Sequence, residues 1–236
     1  MKVMTIINSH AGSGQTTVTV NLATGLLARG RRVLIVDVGG NEKLRAWLGV
    51  VAPLTGISDS DSGDLITSTR LGVDLLSLGG CEAGQPTADT FTSFIEGAAY
   101  EYVLVLPASL ESLKPLTGFP SKLAVCTDLE HPDELGQILA LQQSLSGGID
   151  DLRPIDLIIP NKINTKEWDH NSQQLFALGD HFGYEVLADP IPHCERIHDL
   201  PLTGRTAWEL QQENLKSAFA RLVETVEELE PIGLRA

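Results

Sequence analysis

Short, wholly apolar runs alternate along the chain with helical segments. Runs such as "RVLIVDV", "EYVLVL" and "IDLIIP" contain no regular apolar–polar alternation, so both faces of the strands they predict are buried. The predicted strands are Lys2–Asn8, Arg32–Val38, Gly72–Leu78, Glu101–Leu106, Lys122–Thr127, Ile155–Asn161 and Tyr184–Pro190. Such strands are typical of a mostly parallel sheet with helices on both faces, and the sequence therefore predicts a doubly wound α/β fold.

Segments whose apolar residues have helical spacing lie between these strands. A helix is predicted over Thr16–Ala28, with Gly30 as its stop, and another over Pro132–Ser144, which has proline and acidic residues in its first turn. A long helix is predicted over Ala207–Leu229. Its apolar face comprises Leu215, Ala218, Phe219, Leu222, Val223 and Val226, and its other face is largely acidic. This pattern favours a helix docked on the protein over one that binds an anionic membrane. The Ser/Asp/Gly-rich stretch Thr55–Asp64 predicts a loop.

Composition narrows the class of protein. A chain of 236 residues with 42% hydrophobic residues is long enough for one sizeable core, so we expect one domain over residues 1–236. No apolar run reaches the roughly 18 residues that a membrane span requires, and the start of the chain lacks a signal-peptide cleavage site, so we expect a cytoplasmic protein. Cys81, Cys126 and Cys194 have no CxxC spacing, which argues against a disulfide framework or zinc site; Cys126 is predicted to lie in the core.

The net charge of the chain bears on whether it binds nucleic acid. The chain has 17 Lys and Arg against 31 Asp and Glu, a formal net charge of -14. Such a surface repels polyphosphates, so DNA binding would need a local basic patch. Arg205 and Lys216 could contribute only a small one. Strong DNA binding is therefore not expected.

The segment "NSHAGSGQTT" carries the candidate chemistry. It joins a predicted strand to a predicted helix through a glycine-containing turn. Backbone N–H groups of such a turn and of the helix start converge on an anion, and the helix dipole adds partial positive charge. Gly12 and Gly14 permit close backbone approach, and Thr16 offers a hydroxyl of the kind that coordinates Mg²⁺. The sequence thus predicts a phosphate-binding loop.

The chain resembles the ParA/MinD family of deviant Walker ATPases, whose members open approximately with N-x-K-G-G-x-G-K-T-T and an N-L-A-containing helix. The matching residues are Asn8, Gly12, Gly14, Thr16, Thr17, Asn21, Leu22 and Ala23. Later segments, "RRVLIVDVGGN", "LGVDLLSLGG", "YEYVLVLPAS", "LIIPNKIN" and "IPHCERIHDLPLTGRTAWEL", extend the likeness over about Met1 to Leu229. The resemblance implies a P-loop NTPase-like fold and ATP or ADP with Mg²⁺ as cofactor.

The departures from the family pattern fall on the charged positions. His10 stands where the family has its signature lysine, Ala11 replaces a glycine, and Gln15 replaces the loop lysine. Gly39 lies at the position of the catalytic aspartate, and Leu106 at that of the Walker B aspartate. Among these charged positions only Asp37 is retained.

The resemblance implies a set of site residues. The nucleotide-binding candidates are Gly12, Ser13, Gly14, Gln15, Thr16, Thr17 and Asn161. Thr16 and Asp37 are the candidates for the metal, and His10 is a possible dimer or nucleotide contact. Alternatives remain: His10 could point to solvent, Gln15 could be an ordinary polar residue of the first helical turn, and Asn161 an ordinary turn residue. Trp208 is predicted to anchor helix packing.

The resemblance implies a positioning or partition-type protein, and the departures at the charged positions predict a degenerate nucleotide site with weak or no ATP hydrolysis. It would act as a homodimer, or as a heterodimer with an intact family member, and serve as a scaffold for a protein partner in plasmid or chromosome partition, or in placing a secretion or pilus machine. The main alternative is an active, DNA-binding partition ATPase with replacement residues. In a third interpretation, the fold works without nucleotide, and an unrelated ligand or a protein fills the pocket that the nucleotide would occupy.

Overall fold

Seven strands form one mixed sheet at the centre of the protein. The computed structural model describes residues 1–50, 66–78, 88–97, 99–116, 119–146 and 153–231. The strands are β1 (Lys2–Asn8), β2 (Val33–Val38), β3 (Ile66–Ser68), β4 (Asp74–Ser77), β5 (Tyr102–Pro107), β6 (Lys122–Thr127) and β7 (Leu157–Pro160). Their order is β3-β4-β2-β5-β1-β6-β7, and only the β3–β4 pairing is antiparallel.

Eight α-helices accompany the sheet within the described residues. They are α1 (Gln15–Ala28), α2 (Glu42–Leu48), α3 (Ala88–Gly97), α4 (Leu110–Leu113), α5 (Glu134–Ser144), α6 (Trp168–Phe182), α7 (Leu200–Thr203) and α8 (Glu213–Glu228). One buried cluster joins one face of the sheet to α1, α2 and α8, and a second joins the other face to α3, α5 and α6. The predicted doubly wound fold is therefore confirmed.

The inner strands are apolar on both faces because both faces are covered. Every residue of β2 and of β5 is buried. The predicted ranges for β1 and β6 are identical to those observed. The predicted β2, β4 and β7 are too long by one to three residues, and the predicted β5 begins and ends one residue too early.

Two sequence predictions are wrong. Tyr184–Pro190 is not a strand: residues Tyr184–Val186 form a 3₁₀-helix, and only Leu187 makes a bridge, to Ile158. Pro190 and Pro192 lack the amide protons that a continuous ladder beside β7 needs. The helix predicted over Ala207–Leu229 is interrupted as well.

The last predicted helix is two elements. A 3₁₀-turn at Ala207–Glu209 is closed by a Thr206–Glu209 capping box, and Leu210 then takes an extended conformation before α8 begins. The apolar face predicted for this helix is nevertheless buried at each of its six positions. The helices α2, α3, α4, α6 and α7 have no counterpart among the predicted elements.

Other predictions meet mixed outcomes. Cys126 is fully buried, as expected, and burial raises the pKa of its thiol. Cys194 is buried and free, whereas Cys81 and the predicted loop Thr55–Asp64 lie outside the described residues. Helix α1 ends at Ala28, and Gly30 follows it with φ +80°, as the predicted stop requires. None of the helices in the described ranges has the length and apolar character needed to span a bilayer.

Candidate nucleotide site

The carboxyl ends of the parallel strands meet at a cleft of about 570 Å³. Its lining comprises Asn8, Ala11, Gly12, Gly14, Gln15, Thr16, Thr17, Asn41, Lys43, Trp47, Ala108, Asn161, Lys162, Pro192, His193, Cys194, Ile197, His198 and Pro201. Strand β1 is flanked by β5 and β6, so the loop that follows it lies where ligands bind in open α/β sheets. The position of the cleft agrees with the predicted phosphate loop.

Two glycines shape the loop between β1 and α1. Gly12 has φ +97° and Gly14 has φ +100°, in the left-handed region that favours glycine. Gly14, the N-cap residue of α1, has no side chain that could accept from the amides of the first turn. Within the described residues, the backbone N–H groups of Gly14, Thr16 and Thr17 donate to no acceptor of the chain. These three amides are available to an anion, and all three residues line the cleft.

Ser13 and Asn8 hold the loop from inside the protein. Ser13 is fully buried, and its hydroxyl lies 2.8 Å from Asn8 Oδ1 and 2.9 Å from the Cys126 carbonyl oxygen. Asn8 Oδ1 also accepts from the Gln15 backbone N–H at 3.1 Å. Ser13 is absent from the cleft lining, and its side chain is turned inward, where it fixes the turn. Its part in nucleotide binding stays a prediction.

Gln15 is turned into the sheet. Its Nε2 donates to the Ile6 carbonyl at 2.5 Å and to the Pro107 carbonyl at 3.1 Å, while its Oε1 accepts from Asn8 Nδ2 at 3.0 Å. The side chain joins the ends of β1 and β5, and its amide group is fully hydrogen-bonded. Gln15 is thus not positioned as a lysine substitute.

Asn161 supports the loop from the end of β7. It is buried, and its Nδ2 donates to the Ser13 carbonyl at 2.9 Å. A Cβ atom on Gly14 would overlap this amide group, so the contact requires glycine there. Lys162 follows with φ +58°, and its Cε lies 4.0 Å from that same Cβ position. The structure places Asn161 at the cleft but commits its amide to the loop backbone.

Asn41 is a site residue that sequence reasoning missed. Its backbone N–H donates to Asp37 Oδ1 and Oδ2 at 2.8 and 3.0 Å, and its Nδ2 donates to Thr16 Oγ1 at 3.1 Å. Its Oδ1 caps α2 by accepting from the Leu44 N–H. The capping pattern, an asparagine ahead of "EKLRAWLG", was the available signal.

Asn41 separates the two predicted metal ligands. Asp37 is fully buried and is absent from the cleft lining, whereas Thr16 lines the cleft. Within the described residues, no group of three or more His, Cys, Asp or Glu side chains could hold a metal ion. The Thr16 hydroxyl would hold a nucleotide-bound Mg²⁺, which keeps several waters, and Asp37, linked to Thr16 through Asn41, would contribute negative charge nearby. Direct ligation by Asp37 is not what this arrangement offers.

Burial raises the pKa of Asp37 above its ordinary value near 3.8, against the lowering effect of the Asn41 N–H, Ser77 and Arg45. The Asp37 carboxyl therefore loses its proton at a lower pH in the unfolded chain than in the folded protein. Its contribution to the free energy of unfolding falls as pH rises from about 3.8 through the raised pKa of the folded state. Asp37→Asn removes the titration. Urea unfolding of the wild type and of Asp37→Asn, from about pH 3.5 to pH 7, measures the difference between their free energies of unfolding. We expect this difference, wild type minus variant, to fall as pH rises through that window. A difference independent of pH would contradict the assignment.

His10 does not extend freely into solvent. Its Nε2 lies 2.8 Å from Oδ1 of the buried Asp128, and Lys162 Nζ lies 3.4 Å from Asp128 Oδ2. One carboxylate therefore holds two basic side chains beside the loop. The interpretation of His10 as a solvent-facing loop residue is wrong in this structure, and its imidazole is engaged within the chain.

Leu106 and Gly39 occupy the two positions at which the family pattern has aspartates. Leu106 is fully buried and pairs in register with Asp37 across β2 and β5. Gly39 has φ +104°, and a Cβ there would lie 2.9 Å from Ala108 Cβ and 3.0 Å from Ser112 Cβ. An aspartate at position 39 would therefore require the neighbouring backbone to move.

The cleft is basic although the protein is acidic. Its lining includes Lys43, Lys162, His193 and His198, and no Asp or Glu among the described residues.

Trp208, the predicted packing anchor, lies against Gly25 of α1 and donates from Nε1 to the Asn21 carbonyl at 3.0 Å. The anchor prediction agrees with this packing.

A sequence model of the CobQ/CobB/MinD/ParA nucleotide-binding domain matches residues 4–207. The chain belongs to that family. The chromosome-partitioning ATPase Soj of Thermus thermophilus is 29% identical over 247 residues, which cover 94% of this chain and 93% of Soj.

Two solved structures have a similar fold. The MinC:MinD cell division protein complex of Aquifex aeolicus contains a chain with a TM-score of 0.70 and 16% identity, covering 98% of each chain. Cobyrinic acid a,c-diamide synthase of Mycobacterium smegmatis, with a bound ATP analogue and magnesium, has a TM-score of 0.69 and 21% identity, covering 95% of this chain and 93% of the synthase. At these identities the likeness concerns the fold. The mostly parallel, doubly wound P-loop NTPase fold of ParA/MinD type is thereby shown.

Proposed function

We propose that this protein is a ParA/MinD-like positioning or partition factor that binds ATP or ADP with Mg²⁺, hydrolyses it weakly or not at all, and acts as a dimerising scaffold for a protein partner. The observation that carries the proposal is the combination of free loop amides with the absence of a carboxylate at positions 39 and 106. The anion site is kept, and the groups that would drive turnover are absent.

Retained binding is supported by the loop amides of Gly14, Thr16 and Thr17 at the start of α1. Helix N-termini favour anions because their N–H groups are unpaired and their dipole is positive there. The carboxylate-free lining of the cleft removes a source of repulsion. The synthase that shares this fold holds an ATP analogue and magnesium, which supports the same ligand class here.

Weak turnover is supported by Gln15, Gly39 and Leu106. Phosphoryl transfer relies on positioning and charge stabilisation, and a single transition-state cation contributes about 10³–10⁵ in rate. The Gln15 amide is hydrogen-bonded to main-chain carbonyls, and positions 39 and 106 carry no carboxylate. Hydrolysis has thus lost a cation, a water-orienting group and a metal-holding group together.

A protein partner is a better match than DNA. Arg205 lies 3.2 Å from Glu209, and Lys216 lies 3.0 Å from Glu213, so the small basic patch that the sequence offered is neutralised within the chain. The net charge of -14 also opposes DNA. The MinD chain that shares this fold is found in complex with MinC. We propose a cytoplasmic homodimer, or a heterodimer with an intact family member, as the working form.

Isothermal titration with ATP and Mg²⁺ tests nucleotide binding. We expect heat of binding for the wild type and weaker binding for Thr16→Ala, which removes the cleft hydroxyl. Binding that is absent at millimolar ATP would overturn the nucleotide part of the proposal.

A gel-shift titration on duplex DNA, with and without ATP, tests the choice of partner. We expect no ATP-dependent shift. A shift that requires ATP and weakens with salt would favour the alternative function, an active DNA-partition ATPase.

A further inference from the structure

We propose that Lys43, on α2, supplies the phosphate-binding cation that the loop lacks. The inference rests on the proposed nucleotide binding and names the residue that neutralises the phosphates. The ligand class is a nucleoside di- or triphosphate, with its phosphates at the amides of Thr16 and Thr17.

Lys43 is one of the residues that line the cleft containing the loop amides. It lines the same cleft as Thr16 and Thr17, and the residue two before it, Asn41, donates from Nδ2 to Thr16 Oγ1 at 3.1 Å. The start of α2 is thus tied directly to the start of α1. The flexible four-carbon side chain of a lysine at this lining position is long enough to extend towards a phosphate in the cleft without belonging to the loop.

The other basic side chains beside the loop are already engaged. Lys162 and His10 both contact the buried carboxylate of Asp128, at 3.4 and 2.8 Å. Lys43 has no carboxylate partner within the described part of the chain. Of the two lysines that line the cleft, Lys43 is the one whose charge is not already balanced.

The helix that carries Lys43 is held at both ends. Asn41 caps its start, and Trp47, fully buried near its end, donates from Nε1 to the Arg205 carbonyl at 2.8 Å. Arg70 donates to the Trp47 carbonyl at 2.7 Å. The backbone of Lys43 is therefore fixed relative to the cleft, so binding a phosphate costs the ordering of one side chain only.

The electrostatic setting strengthens the effect of one cation. No Asp or Glu in the described residues lines the cleft, so no carboxylate of its lining opposes the attraction between a phosphate and Lys43. A lysine acts on phosphate as a point charge, and losing such a charge-assisted contact weakens binding about tenfold or more. The effect grows with the number of phosphates.

Titration calorimetry of ATP, ADP and AMP against the full-length protein tests the inference. We expect Lys43→Ala to weaken ATP binding about tenfold and AMP binding much less, with Lys43→Arg restoring most of the ATP affinity. Lys166→Ala is the matched control: Lys166 is exposed, outside the cleft and without a carboxylate partner in the described chain. It should leave both affinities unchanged.

The outcomes separate the two proposals. If the wild type binds ATP and Lys43→Ala binds equally well, or loses ATP and AMP affinity in equal measure, the role of Lys43 is refuted while nucleotide binding stands. If the wild type binds no nucleotide, the proposed function fails first. Urea midpoints for Lys43→Ala should equal those of the wild type, because the side chain is exposed. A lowered midpoint would assign Lys43 a structural role instead.

Discussion

Replacing Gly14 by alanine is expected to destabilise the protein by about 2–4 kcal/mol and to abolish nucleotide binding. Two costs add at this position. A side chain at φ +100° is strained, and the new Cβ would overlap the buried amide of Asn161. Because Asn161 holds the Ser13 carbonyl, relief of the overlap must displace the loop that presents the free amides.

Gly12→Ala provides the matched control for Gly14→Ala. Gly12 has nearly the same backbone angle, φ +97°, and open space around its Cβ position. This variant should show the strain alone, about 1–2 kcal/mol. Urea unfolding of both variants measures the difference, which is the packing cost against Asn161. Equal destabilisation by the two substitutions would contradict the close contact on which the loop geometry depends.

Replacing Gln15 by leucine is expected to cost about 2–3 kcal/mol of stability and to change ATP affinity by less than about threefold. The buried amide of Gln15 joins the carbonyls of Ile6 and Pro107 and accepts from Asn8, and leucine can make none of these bonds. Its side chain is not directed at the phosphate position, so binding should depend on it little.

Thr17→Val is the control for Gln15→Leu, since the Thr17 hydroxyl makes no hydrogen bond within the described residues and its loss should leave the urea midpoint near that of the wild type. Urea unfolding of both variants gives the stability comparison, and ATP titration of Gln15→Leu against the wild type gives the change in affinity. A large loss of ATP affinity with unchanged stability in Gln15→Leu would identify Gln15 as a phosphate ligand instead.

The fold was predictable because its strands are buried on both sides. Short continuous apolar runs such as "EYVLVL" indicate strands that are buried on both faces. The first and last residues of β1 and β6 were predicted correctly. Short elements were not predictable in the same way. Helix α2 has seven residues and is fixed by the Asn41 cap and by Trp47 packing, contacts that no periodicity in the sequence reveals.

The site was predictable in its backbone and not in its side chains. The glycines of the loop and Thr16 lie where the strand–turn–helix pattern requires. The directions of Ser13, Gln15 and Asn161 depend on partners distant in sequence, such as the Cys126 carbonyl 113 residues from Ser13. The engagement of His10 with Asp128, 118 residues away, could not be read from the loop itself.

The central claim is that the protein retains an anion-binding loop but lacks the side chains that drive ATP hydrolysis. Single-turnover phosphate release at saturating protein tests this claim. With ATP and Mg²⁺ bound to the wild type, we predict that the nucleotide is recovered as ATP, with release no faster than in Thr16→Ala. Rapid formation of ADP and phosphate by the wild type, lost in Thr16→Ala, would contradict the account.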